Sequence, residues 1–314
     1  MIKNTIAEIF SKQKKFNDLF YDDSLDQCQK EEITKSLSLA LHSEVSSMIT
    51  GINFKDHRAD KNPVDVQRII YESVDIFRYL IAILNLWEVN PDDFEHAFDD
   101  KDLFLHMRHE ISTNTWRGQP VLIVDVDDVI CHFRDGFMRW LHEEYDITVR
   151  DDCTEYYTTS AVKDAGFNPE SVFVEFINNR KLLDLQADTG IIDVLNELHS
   201  TGYWIHILTA RPTKDLTCFY DTHRWLEACG LDYDRISFSP EKYRWLTQSE
   251  YYDSGKVVCA IDDSPKHVAE YAKHGVRTLC PRKIYNTEVE LLENVFIYDS
   301  EKDIFQLIEH LNYR

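Results

Sequence analysis

A short apolar run that leads into three carboxylates is the most chemically informative stretch of the sequence. VLIVDVDDVICHF spans residues 121–133, where Asp125, Asp127 and Asp128 follow four consecutive apolar residues. Burying carboxylates is costly unless a cation neutralises them. The pattern therefore predicts that a cation lies beside this segment.

Three further apolar runs end in polar side chains that suit a shared site. Thr209 and Arg211 stand in ILTARP, and Lys242 stands in SFSPEK. Asp262 and Asp263 stand in CAIDDSP. If all these runs are neighbouring strands of one sheet, their carboxyl ends bring the polar groups into one crevice.

Such a set of groups is suited to phosphoryl transfer. Converging carboxylates need a hard divalent cation, and oxygen ligands suit Mg²⁺. A lysine and a hydroxyl remain to hold an anion such as phosphate. One carboxylate can take the phosphoryl group as an aspartyl-phosphate. A carboxylate two positions further along an extended chain points the same way, so it can act as general acid and then as base.

The elements that must position these groups follow residue 120. Short apolar runs alternate there with amphipathic segments, which predicts β-α-β units and a Rossmann-like α/β domain with a parallel sheet. The predicted strands are 121–126, 203–210, 235–239, 256–262 and 276–280. The predicted helices lie near 190–200, 219–229, 241–251 and 265–274.

Residues 120–285 resemble the phosphatases of the haloacid dehalogenase superfamily, with four motifs in the family's order. VLIVDVDDVI matches the first motif apart from the isoleucine at its end. The resemblance implies a Mg²⁺-dependent phosphoric monoester hydrolase in which Asp125 is the nucleophile and a metal ligand. It implies that Asp127 is the general acid and base and contacts the metal through its main-chain carbonyl. It also implies that Asp262 holds the metal, and that Asp263 either supports the metal ligands without touching the metal or serves as an alternate ligand.

The same resemblance places Thr209 and Ala210 at the phosphoryl oxygens and a lysine between the nucleophile and the phosphate. Two lysines are candidates. Lys242 follows the third predicted strand and opens a helix, as the family's lysine does, whereas Lys256 stands at the wrong end of the fourth strand. We therefore predict Lys242.

A long insert between the first and second motifs, residues 131–202, predicts a small helical cap over the site. Its length and position resemble those of 5'(3')-deoxyribonucleotidases, which implies a nucleoside monophosphate substrate, with deoxynucleotides favoured. Five aromatic side chains of this region either stack on a base or form the cap's own core: Phe133, Phe137, Trp140, Tyr156 and Tyr157.

Two other substrate classes stay open. LTARPTKDLTCFYDTHRWLEACGL together with AIDDSPKHVAEYAKHGV is similar to the 3'-phosphatase domain of phage-type polynucleotide kinases, and a sugar phosphate is the other alternative. The net charge of −22 and the lack of a GxxxxGK[ST] motif argue against a repair enzyme of that kind. We likewise expect no generic nucleic-acid binding.

The first part of the chain predicts a separate all-α domain. Residues 1–112 carry apolar side chains at helical spacing, most regularly across 33–50 and 64–87. We expect a linker at 113–120 and the phosphatase domain over 121–314.

Three acids of the helical domain stand at spacings that resemble the metal site of all-α nucleoside triphosphate pyrophosphatases, the MazG-type proteins and dimeric dUTPases. Glu72 and Asp75 share a helix face, and Glu44 precedes them on another helix. Ser47 stands where the family's ExxE motif has its second glutamate. The loop INFKDHR is loosely similar to the family's substrate-binding loop.

This second resemblance implies cleavage of nucleoside triphosphates to monophosphate and pyrophosphate, in a weak or altered form because of Ser47. A non-catalytic dimerisation or nucleotide-sensing domain and an ordinary helical bundle are the alternatives. The resemblance also implies a homo-oligomer, either a dimer or a tetramer, built through the helical domain.

Composition sets the outer bounds. With 43% apolar residues the chain can build real cores, and its seven scattered cysteines favour a reducing cytoplasm over a disulfide framework. The first residues contain no long apolar stretch, so we expect no secretory signal, and no run of 18 apolar residues occurs in the sequence. We therefore expect a cytoplasmic hydrolase that makes no use of a membrane.

Overall fold

The computed structural model describes residues 5–21, 24–52, 63–150, 152–214 and 216–312, apart from the side chains of 103, 104 and 106–113. The chain divides into two compact units, Met1–Leu105 and His106–Arg314. This division falls a few residues before the linker predicted at 113–120. The loop INFKDHR lies outside the described residues, except for its first residue.

The first unit is helical, as the period of its apolar residues predicts. Thr5 and Asp26 start the first two helices with reciprocal side-chain caps. The helices are α1 (Ile6–Asn17), α2 (Gln27–Ile49), α3 (Val66–Leu86) and α4 (Pro91–Thr113), the last of which runs across the division.

Helix α3 packs against both α1 and α2. Its second half is buried at Ile81 and Ala82, where Asn17 Nδ2 donates a hydrogen bond to the Ala82 carbonyl at 3.2 Å. Its first half carries an exposed apolar stripe of Val66, Ile70 and Val74. None of the 23 described residues of α2 is buried. The helical unit therefore leaves apolar surface uncovered.

The second unit alternates strands and helices. A helical insertion follows the first strand, and each later strand is followed by an α-helix except β5, which is followed by a 3₁₀ turn. The elements are β1 (Val121–Val124), α5 (Phe133–Tyr145), α6 (Thr159–Asp164), α7 (Pro169–Asn178), α8 (Thr189–Ser200), β2 (Trp204–Thr209), α9 (Leu216–Ala228), β3 (Arg235–Phe238), α10 (Lys242–Leu246), β4 (Val257–Ile261), α11 (Pro265–Lys273), β5 (Thr278–Pro281), β6 (Val295–Tyr298) and α12 (Glu301–Asn312), with 3₁₀ turns at Lys181–Asp184 and Thr287–Leu291.

Six parallel strands form one sheet in the order β3-β2-β1-β4-β5-β6. Val124 of β1 is in register with Ile207 of β2 and Ile261 of β4. Every residue of β1, β2 and β5 is buried, as expected for parallel strands covered on both faces. The predicted parallel α/β fold is confirmed, and the carboxyl ends of the central strands meet at one edge.

The sequence analysis missed two elements and overestimated one. Neither β6 nor α12 was predicted, although VFIY has the β-branched and aromatic residues typical of a strand. The helix predicted near 241–251 is limited to α10, because the chain turns after Leu246.

Helices α5, α6 and α7 occupy the insertion where a cap was predicted. α8 packs against β2 and α12, so it is a crossover helix of the sheet and the insertion ends before it rather than at 202. Apolar side chains of the insertion, including Phe137 and Phe176, belong to the same buried cluster as residues of the sheet.

The segment predicted as a linker has neither helix nor strand from residue 114 to 120. It nevertheless packs on the second unit. The Trp116 ring lies 5.8 Å from that of Tyr251, and Asn114 Nδ2 donates a hydrogen bond to the Asp234 carbonyl at 3.3 Å. Of the helices that the structure describes, none is long and apolar enough to span a membrane.

Candidate active site

The site lies at the carboxyl ends of the central strands β2, β1 and β4. The Asp125 amide donates to the Ile261 carbonyl at 2.9 Å, and the Asp262 amide donates to the Leu279 carbonyl at 3.1 Å. These hydrogen bonds extend the sheet by one residue at β1 and β4. The backbone of both aspartates is therefore hydrogen-bonded to a neighbouring strand, and both residues are buried.

Lys242 joins these two aspartates. Its Nζ lies 2.7 Å from Asp125 Oδ1 and 2.7 Å from Asp262 Oδ2. The lysine is the first residue of α10 and its side chain is almost completely buried. Lys256, the other candidate, is exposed before β4. The structure thus brings Lys242 to the carboxylates.

Asp263 adds a third carboxylate to the group. Oxygen atoms of Asp125, Asp262 and Asp263 all lie within 4.8 Å of one another, and all three residues are buried. Tyr285 donates a hydrogen bond to Asp263 Oδ2 at 2.6 Å. Among the described residues, Asp263 Oδ1 has no hydrogen-bond partner. Tyr285 therefore engages only one of the two Asp263 oxygens.

The electrostatics of the cluster show an excess of negative charge. Burial raises the pKa of Asp125 to about 7; the Lys242 ammonium opposes this shift, and the charge of Asp262 adds to it. Burial and the neighbouring aspartates also raise the pKa of Asp263 well above its ordinary range. Three carboxylates face one ammonium, so the group as built favours an additional cation.

Asp127 is held by Arg211 instead of joining this cluster. Arg211 Nη2 donates to Asp127 Oδ1 at 2.6 Å, and its Nε lies 3.1 Å from Oδ2. The guanidinium is buried, and its Nη1 donates to Thr222 Oγ1 at 3.1 Å. Asp127 was predicted to contact the metal through its main-chain carbonyl, so this placement of its carboxylate is compatible with the prediction.

Thr209 and Ala210 lie where β2 ends. Thr209 is completely buried, and its Oγ1 accepts a hydrogen bond from the Arg211 amide at 3.3 Å. Ala210 lines the cavity described below. Asp128 has a left-handed backbone with φ of 53° and accepts a hydrogen bond from the Arg134 amide at 3.1 Å. Burial raises the pKa of Asp128 to about 6.

A cavity of about 330 Å³ opens beside the aspartates. Four of the five predicted aromatic side chains line it, namely Phe133, Phe137, Tyr156 and Tyr157. Trp140 does not line it. It is buried beside Phe176, with ring centroids 5.3 Å apart, in the core of the insertion. The cavity is therefore lined by several aromatic rings and by the carboxylates of Asp125, Asp127 and Asp128.

Four residues of this region were not predicted as site residues. Arg134 fastens the loop before α6, and His267 lines the cavity with a pKa that burial and the Lys242 charge lower to about 4. Thr158 also lines the cavity, and Tyr285 holds Asp263. Of these four, only His267 could have been predicted from the sequence, because it follows Asp262 and Asp263 by about one helical turn at the start of a helix.

The acids of the helical unit also come together. Oxygen atoms of Glu44, Glu72 and Asp75 lie within 4.8 Å of one another, with Asp75 exposed and the two glutamates half-buried. Arg68 Nε lies 3.5 Å from Glu72 Oε1 and donates a hydrogen bond to the Ser47 carbonyl at 3.2 Å. Burial and the two neighbouring acids raise the pKa of Glu44. Ser47 supplies no fourth carboxylate, and a guanidinium lies at its backbone.

Comparison with known families decides what the second unit is. Residues 119–311 match the profile of the family "5' nucleotidase, deoxy (Pyrimidine), cytosolic type C protein". The chain belongs to that family. The predicted nucleotidase resemblance of the second unit is therefore confirmed, and with it the assignment to the phosphoric monoester hydrolases.

A curated relative agrees with this assignment. The protein of Chlorobaculum tepidum named "Putative 5'(3')-deoxyribonucleotidase" is 25% identical over 204 residues, which cover 62% of this chain and 94% of the relative. The pyrophosphatase resemblance of the helical unit stays a prediction.

Solved structures similar to the chain include a haloacid dehalogenase-like hydrolase from Streptococcus pneumoniae, with a TM-score of 0.42 and 13% identity over 60% of this chain and 98% of that protein. CbbY from Rhodobacter sphaeroides in complex with phosphate has a TM-score of 0.45 and 14% identity, over 59% of this chain and 96% of that protein.

Proposed function

We propose that the second unit hydrolyses nucleoside monophosphates, preferentially deoxynucleotides, through an aspartyl-phosphate on Asp125 and with Mg²⁺ as cofactor. The observation that carries this proposal is the buried group of three carboxylates and one lysine at the strand ends. Membership of a nucleotidase family supports the substrate class.

The residues present fit a divalent cation. Asp125, Asp262 and Asp263 offer oxygen ligands within one small volume, and Asp263 Oδ1 has no other partner among the described residues. Oxygen donors of this kind suit Mg²⁺. The Asp127 main-chain carbonyl would be a further ligand. The bound ion would neutralise charge on the phosphoryl group as that group is transferred.

The first chemical step belongs to Asp125. One of its carboxylate oxygens attacks the phosphorus, the bond from phosphorus to the ester oxygen breaks, and the electron pair stays on the nucleoside oxygen. Asp127, in its protonated form, gives that oxygen a proton. Lys242 keeps Asp125 in place and offsets the negative charge that gathers around the phosphorus.

The second step releases phosphate. Water attacks the phosphorus of the aspartyl-phosphate while Asp127 accepts its proton, and the bond from phosphorus to Asp125 breaks. Inorganic phosphate leaves and both carboxylates return to their starting forms. Arg211 fixes the direction of the Asp127 carboxylate through hydrogen bonds from two of its nitrogens. We assign binding of the phosphoryl oxygens to Thr209 and Ala210, at the end of β2.

The aromatic cavity provides a place for the nucleoside. Phe133, Tyr156 and Tyr157 offer ring faces on which a base can stack, and they lie in the same cavity as Asp125 and Asp127. We propose that the insertion of α5, α6 and α7 acts as the cap that closes over this cavity and excludes water.

For the helical unit we propose binding of nucleoside triphosphates, with cleavage to monophosphate and pyrophosphate as the stronger form of the proposal. The cluster of Glu44, Glu72 and Asp75 supports it, and the absence of a carboxylate at Ser47 weakens the catalytic form. If both units act, the first supplies the monophosphate that the second hydrolyses, and their covalent connection raises its local concentration.

We also propose that a second copy of the chain covers the apolar surface of the helical unit. Val66, Ile70 and Val74 form one exposed stripe, and α2 has no buried residue of its own. Light scattering should show a dimer or tetramer, and Ile70→Glu should shift it toward the monomer. A wild-type monomer at micromolar concentration would contradict this part.

The test of the proposed function is phosphate and pyrophosphate release, with Mg²⁺, across nucleoside mono- and triphosphates. Sugar phosphates and a 3'-phosphorylated oligonucleotide complete the panel. We expect phosphate release to be fastest from nucleoside monophosphates. Turnover confined to the oligonucleotide or to the sugar phosphates would contradict the assignment.

A further inference from the structure

The loop that precedes α6 is held in place mainly through Arg134. Arg134 donates hydrogen bonds to three carbonyls of this loop: Glu155 at 2.6 Å, Tyr156 at 3.0 Å and Cys153 at 2.9 Å. The Arg134 guanidinium also lies 5.2 Å from the centre of the Tyr285 ring. The backbone just before Thr158 is therefore fixed by charge-assisted hydrogen bonds rather than by a helix or strand.

The Tyr156 side chain also connects the same loop to the carboxylate cluster, through Tyr285. Its ring centre lies 5.2 Å from that of Tyr285, whose hydroxyl donates to Asp263. The loop thus has a fixed position relative to the carboxylate cluster. A polar group carried by this loop at the cavity wall is correspondingly well placed to bind a ligand.

Thr158 is such a group. Its backbone is left-handed with φ of 49°, an unfavourable conformation for a β-branched residue. The residue is only 2% exposed and lines the cavity. Its Oγ1 finds no hydrogen-bond partner within the described part of the chain. A buried hydroxyl without a partner is destabilising, so a ligand that pairs with it gains affinity.

We propose that the Thr158 hydroxyl binds the nucleoside part of the substrate and thereby selects it. The proposal rests on the proposed function, because it assumes that a nucleoside monophosphate occupies the cavity. The neighbouring Tyr156 and Tyr157 offer ring faces to a planar base, and the hydroxyl offers one donor and one acceptor to the polar edge of the nucleoside. A nucleoside that lacks a matching group leaves the hydroxyl unpaired.

Such a contact does not change as the phosphoryl group moves, so it acts equally on the bound substrate and the transition state. Removing it should raise KM and leave kcat much less affected. It should also weaken binding of the product nucleoside without weakening binding of inorganic phosphate. A purely structural role for Thr158 would not separate these two inhibitors.

The experiment compares Thr158→Val with Thr158→Ser. Valine keeps the β-branched shape and the same backbone strain but has no hydroxyl, whereas serine keeps the hydroxyl and loses the methyl group. We expect Thr158→Val to raise KM for the best nucleoside monophosphate about tenfold, with a matching rise in the inhibition constant of the product nucleoside. The inhibition constant of phosphate should stay the same, and Thr158→Ser should restore most of the affinity. Thr148→Val, at an exposed position, controls for a general effect of the exchange.

Two results would overturn the proposal, and they are distinguishable from each other. In the first, the wild type hydrolyses nucleoside monophosphates, and Thr158→Val changes neither KM nor the inhibition constant of the nucleoside. The hydroxyl then does not bind the nucleoside, although the proposed function stands. If the wild type releases phosphate only from compounds without a nucleoside, the proposed function fails and the nucleoside contact fails with it.

Discussion

The two units of this chain each gather three carboxylates, and the surroundings of the two groups differ in almost every respect. Asp125, Asp262 and Asp263 are buried at strand ends. Glu44 and Glu72 are half-buried on two packed helices, with Asp75 exposed beside them. Each group offers three carboxylates, from three aspartates in the second unit and from two glutamates and one aspartate in the helical unit, so the larger difference is in how the carboxylates are held.

Burial is the main physical difference. Water solvates the acids of the helical unit, and a half-exposed arginine lies 3.5 Å from Glu72. The strand-end acids have no such solvation, and burial raises the pKa of Asp125 to about 7. An excess of negative charge costs little free energy at a solvated surface. Inside the second unit the same excess is costly unless a carboxylate is protonated or a metal ion binds. The strand-end group is therefore the stronger candidate for catalysis.

The largest expected effect is the loss of phosphate release in Asp125→Asn. Asparagine keeps the shape of the side chain but is no nucleophile, so kcat should fall at least about 1,000-fold. Phosphate release under saturating nucleoside monophosphate measures it. Asp193→Asn, at an exposed carboxylate on α8, is the matched control and should retain wild-type turnover. Normal turnover in Asp125→Asn would show that Asp125 is not the nucleophile.

The ion pairs of the two units should differ strongly in their effect on stability. Lys242→Met leaves two buried carboxylates without their ammonium and should lower the free energy of unfolding by about 3–5 kcal/mol. Arg68→Met removes a half-exposed contact at 3.5 Å and should cost at most about 1 kcal/mol.

Urea unfolding followed by tryptophan fluorescence reports on Lys242→Met, since five of the six tryptophans lie in the second unit. Circular dichroism reports on Arg68→Met. Equal losses in the two variants would mean that burial does not distinguish the two groups. Mg²⁺ should offset part of the loss in Lys242→Met.

Stabilisation by Mg²⁺ should depend on pH. Below about pH 7 the metal-free protein holds a proton on Asp125, and Mg²⁺ has to displace it. Above that pH the carboxylate is charged and free to bind. The pKa of Asp125 is higher in the folded protein than in the unfolded chain. Asp125 therefore stabilises the metal-free fold at low pH, and this stabilisation is lost as the pH rises through about 7. The rise in Tm on adding Mg²⁺ should therefore be larger at pH 8 than at pH 6.

Differential scanning fluorimetry with and without Mg²⁺ measures this dependence, with Ca²⁺ as a comparison ion. Asp263→Asn should reduce the Mg²⁺ effect at both pH values. The same Tm rise at pH 6 and pH 8 would contradict the coupling between proton and metal.

The smallest effect on phosphate release is expected from the helical unit. Glu72→Ala should abolish any pyrophosphate release from nucleoside triphosphates while changing monophosphate turnover less than about twofold, because Glu72 belongs to the other unit. Parallel assays of phosphate and pyrophosphate measure both activities. Equal loss of the two would show that the units do not act independently.

Much of the second unit was foreseeable from sequence because buried parallel strands produce short apolar runs with polar residues at their ends. That rule located Asp125, Asp262 and Lys242. It could not reveal that Asp127 pairs with Arg211, since the two lie 84 positions apart in the chain. Thr158 was equally inaccessible, because its significance depends on a backbone angle and an unpaired oxygen.

The bounds of the insertion show a different limit. Trp140 is an aromatic residue of the kind that can stack on a base, yet it lies in the core of the insertion rather than in the cavity. Helix α8 follows the insertion in the chain and was included in the predicted cap, but it packs on the sheet. Aromatic composition alone does not separate a binding wall from a core, because both bury apolar rings.

The most direct test of the central claim is to find where the phosphoryl group is carried. A nucleoside monophosphate labelled with ³²P would be mixed with enzyme and Mg²⁺, quenched in acid within milliseconds, and the labelled peptide identified. We predict acid-stable label on the peptide that contains Asp125, absent from Asp125→Asn. Label on another residue, or rapid turnover with no labelled protein at any time, would contradict an aspartyl-phosphate at Asp125.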